Sequence, residues 1–235
     1  MQFLADLEFE GAKPATLAMH RGNFRQFQHF GMTDLADFHK RNIKRFLMER
    51  RTAGNRTNTI RNHLKTFRRF GRWLECEQFV TESPSRDVPY PRQERTPPVI
   101  PTLEEFVEIK AAAKTVSSNT WLARRFVYLI DFLALTGARI TSARQVRLRD
   151  IDWGRGIMKL DDPKNNTYYY FPIDGRLESL LQRLLAFRRE YARVYLKLGA
   201  FEESEDDFLL FGKHPSIALG DKTIRRQFGQ LSQKL

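Results

Sequence analysis

Apolar residues recur at helical spacing through the first 80 positions. Leu17, Phe24, Phe27 and Phe30 mark one helix over 13–30, and Leu35, Phe38, Ile43, Phe46 and Leu47 mark a second over 33–51. After the turn TAGN (52–55), Ile60, Leu64, Phe67 and Leu74 define a third over 56–75. Strand alternation is missing from this part, which therefore predicts a small helical bundle. Beyond residue 102 the pattern becomes mixed. Thr102 and Glu105 have capping-box spacing and open a helix at TLEEFVEIKAAAK. Another, over about 119–135, carries Trp121, Phe126, Tyr128, Leu129, Phe132, Leu133 and Leu135 and stops at Gly137, the residue type that most easily takes a left-handed cap. A further helix runs from about Ile140 to Val146. VRLRDIDW, GIMKL and YYYFPI then read as three short strands joined by turns at GRG and DDPKNNT. A long amphipathic helix (176–199) and the start of another (221–235) complete the pattern.

Between the two patterns, residues 81–102 hold six of the ten prolines. Proline removes amide donors and biases its predecessor toward extended backbone, so this segment is not helical. The expected organisation is a helical domain over 1–82, a proline-rich linker over 83–101, and a second domain over 102–235 with a small antiparallel sheet flanked by helices. The fold class is mainly α.

Composition adds two limits. The lone cysteine, Cys76, cannot close an internal disulfide, which suits a reducing compartment. No apolar stretch is long enough for a bilayer, and MQFLADLEFEGAKP lacks a basic-then-apolar signal pattern. The expectation is a cytoplasmic protein with no membrane partner.

Charge changes the picture more. The net charge is +12, and residues 40–72 hold twelve Lys or Arg against one acid, Glu49. That window carries +11, so the excess is local, as it is in proteins that meet a polyanion. Within it Arg61, Lys65, Arg68 and Arg72 stand at i, i+4, i+7 and i+11, within roughly 60° of one another on a helix turning about 100° per residue. No Glu lies at i±4 to neutralise them. The bland reading is a solvated face; the sharper one is contact with a nucleic-acid backbone, which is salt-dependent and carries no sequence information. Lys44, in the preceding helix, is a further candidate contact.

The stretch LALTGARITSARQVRLRDID breaks a helix at Thr136-Gly137 and restarts it on Arg139. An arginine fixed at an elbow can offer a planar two-pronged fork to a phosphate, or can be structural and satisfy helix-end carbonyls. Lys164 follows in the turn DDPKNNT, where a solvated role is the plain alternative. On these residues the sequence resembles the tyrosine recombinase (phage integrase) family. LALTGARITSARQVRLRDID is similar to its helix–Thr-Gly-x-Arg–helix–Leu-x-x-x-Asp-Ile pattern, IMKLDDPKNNTYYYFPI to its lysine hairpin, and NRTNTIRNHLKTFRRFGRWL to its core-binding helix, with Thr59, Leu64, Phe70 and Trp73 in matching places.

The resemblance implies an N-terminal core-binding bundle joined to part of a catalytic domain of the DNA breaking-rejoining fold. Double-stranded DNA would be the partner. Arg139 would grip the scissile phosphate and Lys164 would protonate the leaving 5′ oxygen. The family's tyrosine forms a 3′-phosphotyrosyl bond that conserves bond energy, so no metal or other cofactor is expected. Lys222 and Arg225 fall in a segment similar to a helix the family lays against DNA.

Three departures stand out. Ser142 occupies the position, three after the arginine, where the family usually has an acid. Lys164 sits in PKNN instead of a glycine-rich turn. None of the five histidines is followed by Arg at +3, and the sequence reaches Leu235 about where the family's His-x-x-Arg box would begin. The YYYF run reads as an aromatic strand, which leaves no candidate nucleophile. Three functions remain open: a portion of a site-specific recombinase, a natural DNA-binding protein occupying recombination sites, or a transcription factor reading DNA with the 56–75 helix. The last leaves the elbow and the lysine hairpin unexplained. A monomer is expected in solution, with any assembly depending on DNA.

Overall fold

The computed structural model describes residues 2–93, 97–199 and 201–235, and the chain divides into two compact units, up to Pro98 and from Val99 onward. No helix among the described residues is long and apolar enough to cross a membrane.

The first unit is a helical bundle: α1 (Gln2–Phe9), α2 (Pro14–His29), α3 (Lys40–Thr52) and α4 (Thr57–Cys76). Pro14 at the first helical position of α2 supplies a preset backbone angle where no amide donor is needed. The apolar faces expected from spacing close on one core: Leu17, Phe24, Phe27, Ile43, Phe46, Leu47, Ile60, Leu64 and Phe67 are all buried. Phe27 is its hub. Its ring stacks on Phe67 at 3.9 Å between centroids and meets Phe24 and Phe46 edge-on at 5.6 and 5.0 Å. Two details depart from the sequence expectation. The helix expected over 33–51 is a 3₁₀ turn at Leu35–Asp37 followed by α3, because His39 caps α3 by accepting from the Asn42 amide at 3.4 Å; Leu35 is left exposed. And α1, which apolar spacing does not mark, inserts Phe3, Leu4 and Leu7 into the core.

The first part of the proline-rich segment packs on α4. Ser85 Oγ donates to the Phe67 carbonyl at 3.1 Å, Val88 is buried, and Gly71 of α4 leaves room for the approach, since a Cβ there would lie 2.4 Å from Ser83 Oγ. Extended backbone cannot satisfy its own hydrogen bonds, so it borrows helix carbonyls and side chains.

The second unit contains α5 (Leu103–Ala113), α6 (Thr120–Thr136), α7 (Ile140–Ala143), α8 (Gly175–Glu190) and α9 (Asp221–Ser232) around a three-stranded antiparallel sheet. The strands β1 (Ile151–Asp152), β2 (Ile157–Asp162) and β3 (Thr167–Pro172) run in the order β1-β2-β3. Opposed residues share a face, and the pairs Met158↔Phe171 and Leu160↔Tyr169 put Met158 and Leu160 into the core formed with Phe126, Leu129, Phe132 and the buried side of α8. The opposite face carries Lys159, Asp161, Tyr168 and Tyr170. Thr102 and Glu105 form the expected capping box at α5. The last helix of the long 176–199 expectation stops at Glu190 and widens into a π turn over Tyr191–Tyr195.

The acidic run 202–207 is tied down by ion pairs. Arg188 of α8 is completely buried, and its guanidinium meets Glu203 at 3.0 Å and Asp207 at 3.3 Å. A buried guanidinium is tolerable only when its charge is met, so these acids are needed inside. Asp206 pairs with Arg149 on the same loop's outer side.

Two outcomes are expected from the first unit. Replacing Phe27 with Ala removes the hub ring and costs about 3–5 kcal/mol of stability, read by urea denaturation; a loss below about 1 kcal/mol would contradict its central place. His63 is buried between the Phe27 and Phe46 rings, and burial first, then the Arg50 charge, holds its pKa below the ordinary histidine value. The unfolded chain therefore binds a proton more readily, so stability is full above pH ~6.5 and falls as pH drops through that range. His63→Leu should flatten this dependence, measured as melting temperature from neutral to mildly acidic pH; an undiminished slope would count against it.

Candidate functional site

The elbow of the second unit is built by three consecutive residues. Thr136 ends α6, and its hydroxyl donates to the Phe132 carbonyl at 2.7 Å while accepting from the Ala138 amide at 3.2 Å. Gly137 takes the left-handed conformation, φ +60°, and its amide still closes the last helical turn onto Leu133. A side chain at that angle would be strained. The chain thereby reverses into α7 with Arg139 at the N-cap, where its carbonyl accepts from Ala143 at 2.9 Å. The Arg139 side chain takes no part in capping. It is half exposed, and its guanidinium is ion-paired with Asp162 at the end of β2. Helix-end carbonyls are not what it serves.

Asp162 is the residue that sequence reading missed. Its side chain is 8% exposed, and it holds three groups at once. One oxygen accepts from Arg139 and from Asn165 Nδ2 at 2.8 Å; the other accepts from the Lys164 backbone amide at 3.2 Å. The last bond is a local turn closed by the Asp side chain, a common device of Asp two residues before a turn amide. Burial raises the Asp162 carboxyl, but the Arg139 hydrogen bond and charge and the Lys164 amide outweigh it and hold the pKa below the ordinary carboxylate value. The carboxylate is thus ionised near neutral pH. Arg139 and the Lys164 turn, 25 positions apart in sequence, meet through this one side chain. Lys164 itself is exposed at the turn, and Asn166 completes the turn at φ +55°, a conformation asparagine tolerates.

Beside the hairpin lies a pocket of about 470 Å³ lined by Arg144, Arg147, Arg149 and Lys159 with Asp150 and Asp161. Arg144 Nε is buried there with no hydrogen-bond partner among the described residues. Lys159 Nζ sits 3.0 Å from Asp161, whose hydrogen bond raises the lysine pKa, and 5.2 Å from the Tyr168 ring. Tyr168 and Tyr170 are 60% and 59% exposed with rings 5.8 Å apart, so the tyrosine run is a solvent-facing aromatic surface more than a packed one.

On α4 the four cations in line do not have equal surroundings. Arg61 and Arg68 fold back over Tyr90, at 4.9 and 4.3 Å from its ring, and donate to the Pro91 carbonyl at 2.6 Å and the Val88 carbonyl at 2.8 Å. They fasten the proline-rich segment to the helix. Lys65 and Arg72 are exposed and, among the described residues, have no ion-pair partner; the same is true of Lys44 on α3. In α9, Lys222 is exposed and Arg225 pairs with Asp221 one turn earlier at 2.8 Å. Ser142 is buried in α7, and no acid stands at that position.

Comparison with known proteins agrees on one family, although no family model matches the chain. It is 26% identical over 139 residues to tyrosine recombinase XerC of Mesorhizobium japonicum, covering 55% of this chain and 45% of that protein. It is 24% identical over 188 residues to tyrosine recombinase XerC of Oceanobacillus iheyensis, covering 78% and 60%. A putative integrase/recombinase, y4rF, of Sinorhizobium fredii is 30% identical over 160 residues, covering 65% and 36%. The chain thus spans about half the length of the curated relatives it matches. Among solved structures, a lambda integrase (75–356) dimer bound to a COC′ core site superposes with a TM-score of 0.71 over 98% of this chain and 78% of that one, at 16% identity. The Tn1549 transposon integrase in complex with a circular intermediate DNA gives 0.68 over 99% and 77%, at 17% identity. The chain is thus similar in sequence to tyrosine recombinases and shares the fold of the integrases.

Proposed function

We propose that these residues are the DNA-binding and phosphate-gripping portion of a site-specific recombinase, acting on double-stranded DNA in the cytoplasm. The observation that carries the reading is the meeting of Arg139 and the Lys164 turn on one buried carboxylate, at an exposed spot of the second unit. Arg139 offers a half-exposed, permanently charged fork already ordered before any phosphate arrives, and a preordered cation stabilises developing charge without reorganising. Lys164, close by on the turn, supplies a proton to the departing 5′ oxygen. The two act on a phosphodiester from one rigid frame.

The attacking group is not among these residues. Tyr90 is occupied beneath Arg61 and Arg68, Tyr128 packs on Phe187 at 5.2 Å, Tyr191 and Tyr195 stack on each other at 4.8 Å, and the hairpin tyrosines form a strand surface. The chain therefore holds DNA and grips a phosphate without forming a phosphotyrosyl bond by itself. Lys44, Lys65 and Arg72 supply backbone contacts in the first unit, while Arg61 and Arg68 act indirectly by anchoring the 85–91 segment; Lys222 and Arg225 are assigned to the same duplex from the second unit. The protein is a monomer in solution, and assembly follows DNA.

Three measurements test this. Lys65→Ala with Arg72→Ala should weaken duplex binding and lower the slope of log affinity against log salt by about 2, since each neutralised phosphate contributes about 0.9; an unchanged slope would remove both from the interface. Arg61→Ala with Arg68→Ala should act chiefly on melting temperature by releasing Tyr90, and a pure loss of affinity at constant stability would contradict that. A nicked suicide duplex should trap no covalent adduct with residues 1–235, and finding one would overturn the absence of a nucleophile.

A further inference from the structure

We infer that Asp162 is a positioning residue for Arg139, replacing from the neighbouring strand the acid that position 142 does not supply. The inference rests on the phosphate-gripping reading of Arg139. Three observations carry it. First, Asp162 is buried at the end of β2 while the Arg139 side chain it pairs with is half exposed, so the carboxylate holds one side of the guanidinium and leaves the rest of the fork facing solvent. An arginine has five donors, and one carboxylate does not exhaust them. Second, the same carboxylate accepts from the Lys164 amide and from Asn165 Nδ2, so elbow and turn cannot shift independently while the bonds hold. Third, the residue one turn into α7 is a buried serine, which brings no charge to the guanidinium. Three other cations near the hairpin are engaged elsewhere: Lys159 is paired with Asp161, and Arg147 and Arg149 are turned to Asp206.

An acid on a surface that binds DNA ordinarily repels it, and removing such a charge ordinarily tightens binding. A positioning acid does the opposite: without it the fork loses its fixed direction and must be ordered at the moment of binding. The sign of the effect therefore decides the matter. The decisive variant is Asp162→Asn, which retains an acceptor for the Lys164 amide and so spares the turn.

Affinity for a mixed-sequence DNA duplex is measured across a salt series for wild type, Asp162→Asn, Arg139→Ala and the double variant. The expected result is roughly tenfold weaker binding by Asp162→Asn despite its added positive charge, the scale of one lost charge-assisted contact, with no additional loss in the double variant over Arg139→Ala alone. Tighter or unchanged binding by Asp162→Asn, with Arg139→Ala still weakened, overturns the inference and leaves the phosphate reading standing. Unchanged binding by Arg139→Ala overturns the phosphate reading itself. A measurement on the unsubstituted protein covers the case in which Asp162→Asn fails to fold. The Arg139 Nη–H resonances are followed as duplex is added, since Nη1 is the nitrogen that donates to Asp162. A positioning carboxylate keeps its ion pair in the complex, so slow proton exchange persists; if exchange accelerates to that of a free arginine, phosphate has displaced Asp162 and the inference falls.

Discussion

At Gly137 the backbone turns left-handed, and the placement of Arg139 follows from that turn. Without it α6 would run on, and residue 139 would point wherever the helical period carried it. With it, Thr136 satisfies both sides of the break through its hydroxyl, Arg139 starts α7 with a side chain released from capping, and the guanidinium reaches Asp162 across 23 positions of sequence. The elbow is thus a local conformational choice with a long-range result. The backbone of Arg139 is placed by hydrogen bonds that do not involve its side chain, and the Asp162 ion pair then holds the guanidinium.

The two units solve the problem of excess positive charge differently. In the first, part of the charge is converted into packing: Arg61 and Arg68 clasp Tyr90 and two carbonyls, while Lys44, Lys65 and Arg72 are among the cations that stay open to solvent. In the second, acids clustered in sequence are spent one by one on arginines, with Glu203 and Asp207 on Arg188 and Asp206 on Arg149. Three of the five acids in the run are thereby met by arginines.

Periodicity made the amphipathic helices legible, because α2, α3 and α4 bury the residues their spacing selects and the Gly137 stop needs nothing beyond a local rule. Two things were hidden for a physical reason. Asp162 looks in sequence like an ordinary turn residue, since the partner that gives it meaning comes from another element. Tyr90 looks like a linker residue, since only the folded helix brings two guanidiniums onto its ring. The pairing of the acidic run is hidden in the same way: composition reports charge but not what meets it. Pairings distant along the chain are set by topology, and a single sequence carries little trace of them.

Strand β3 forms one margin of the sheet, with Thr167, three tyrosines and Phe171 in succession and no charged side chain between them. Uncharged, β-prone margins of this kind are templates on which a stray strand can add. Pro172, which lacks an amide hydrogen, closes the strand at one end, and the Lys164 turn places a charge at the other. The consequence is a short, guarded stretch of sticky backbone: its tyrosines can remain open to solvent for use while runaway self-association is checked at both ends.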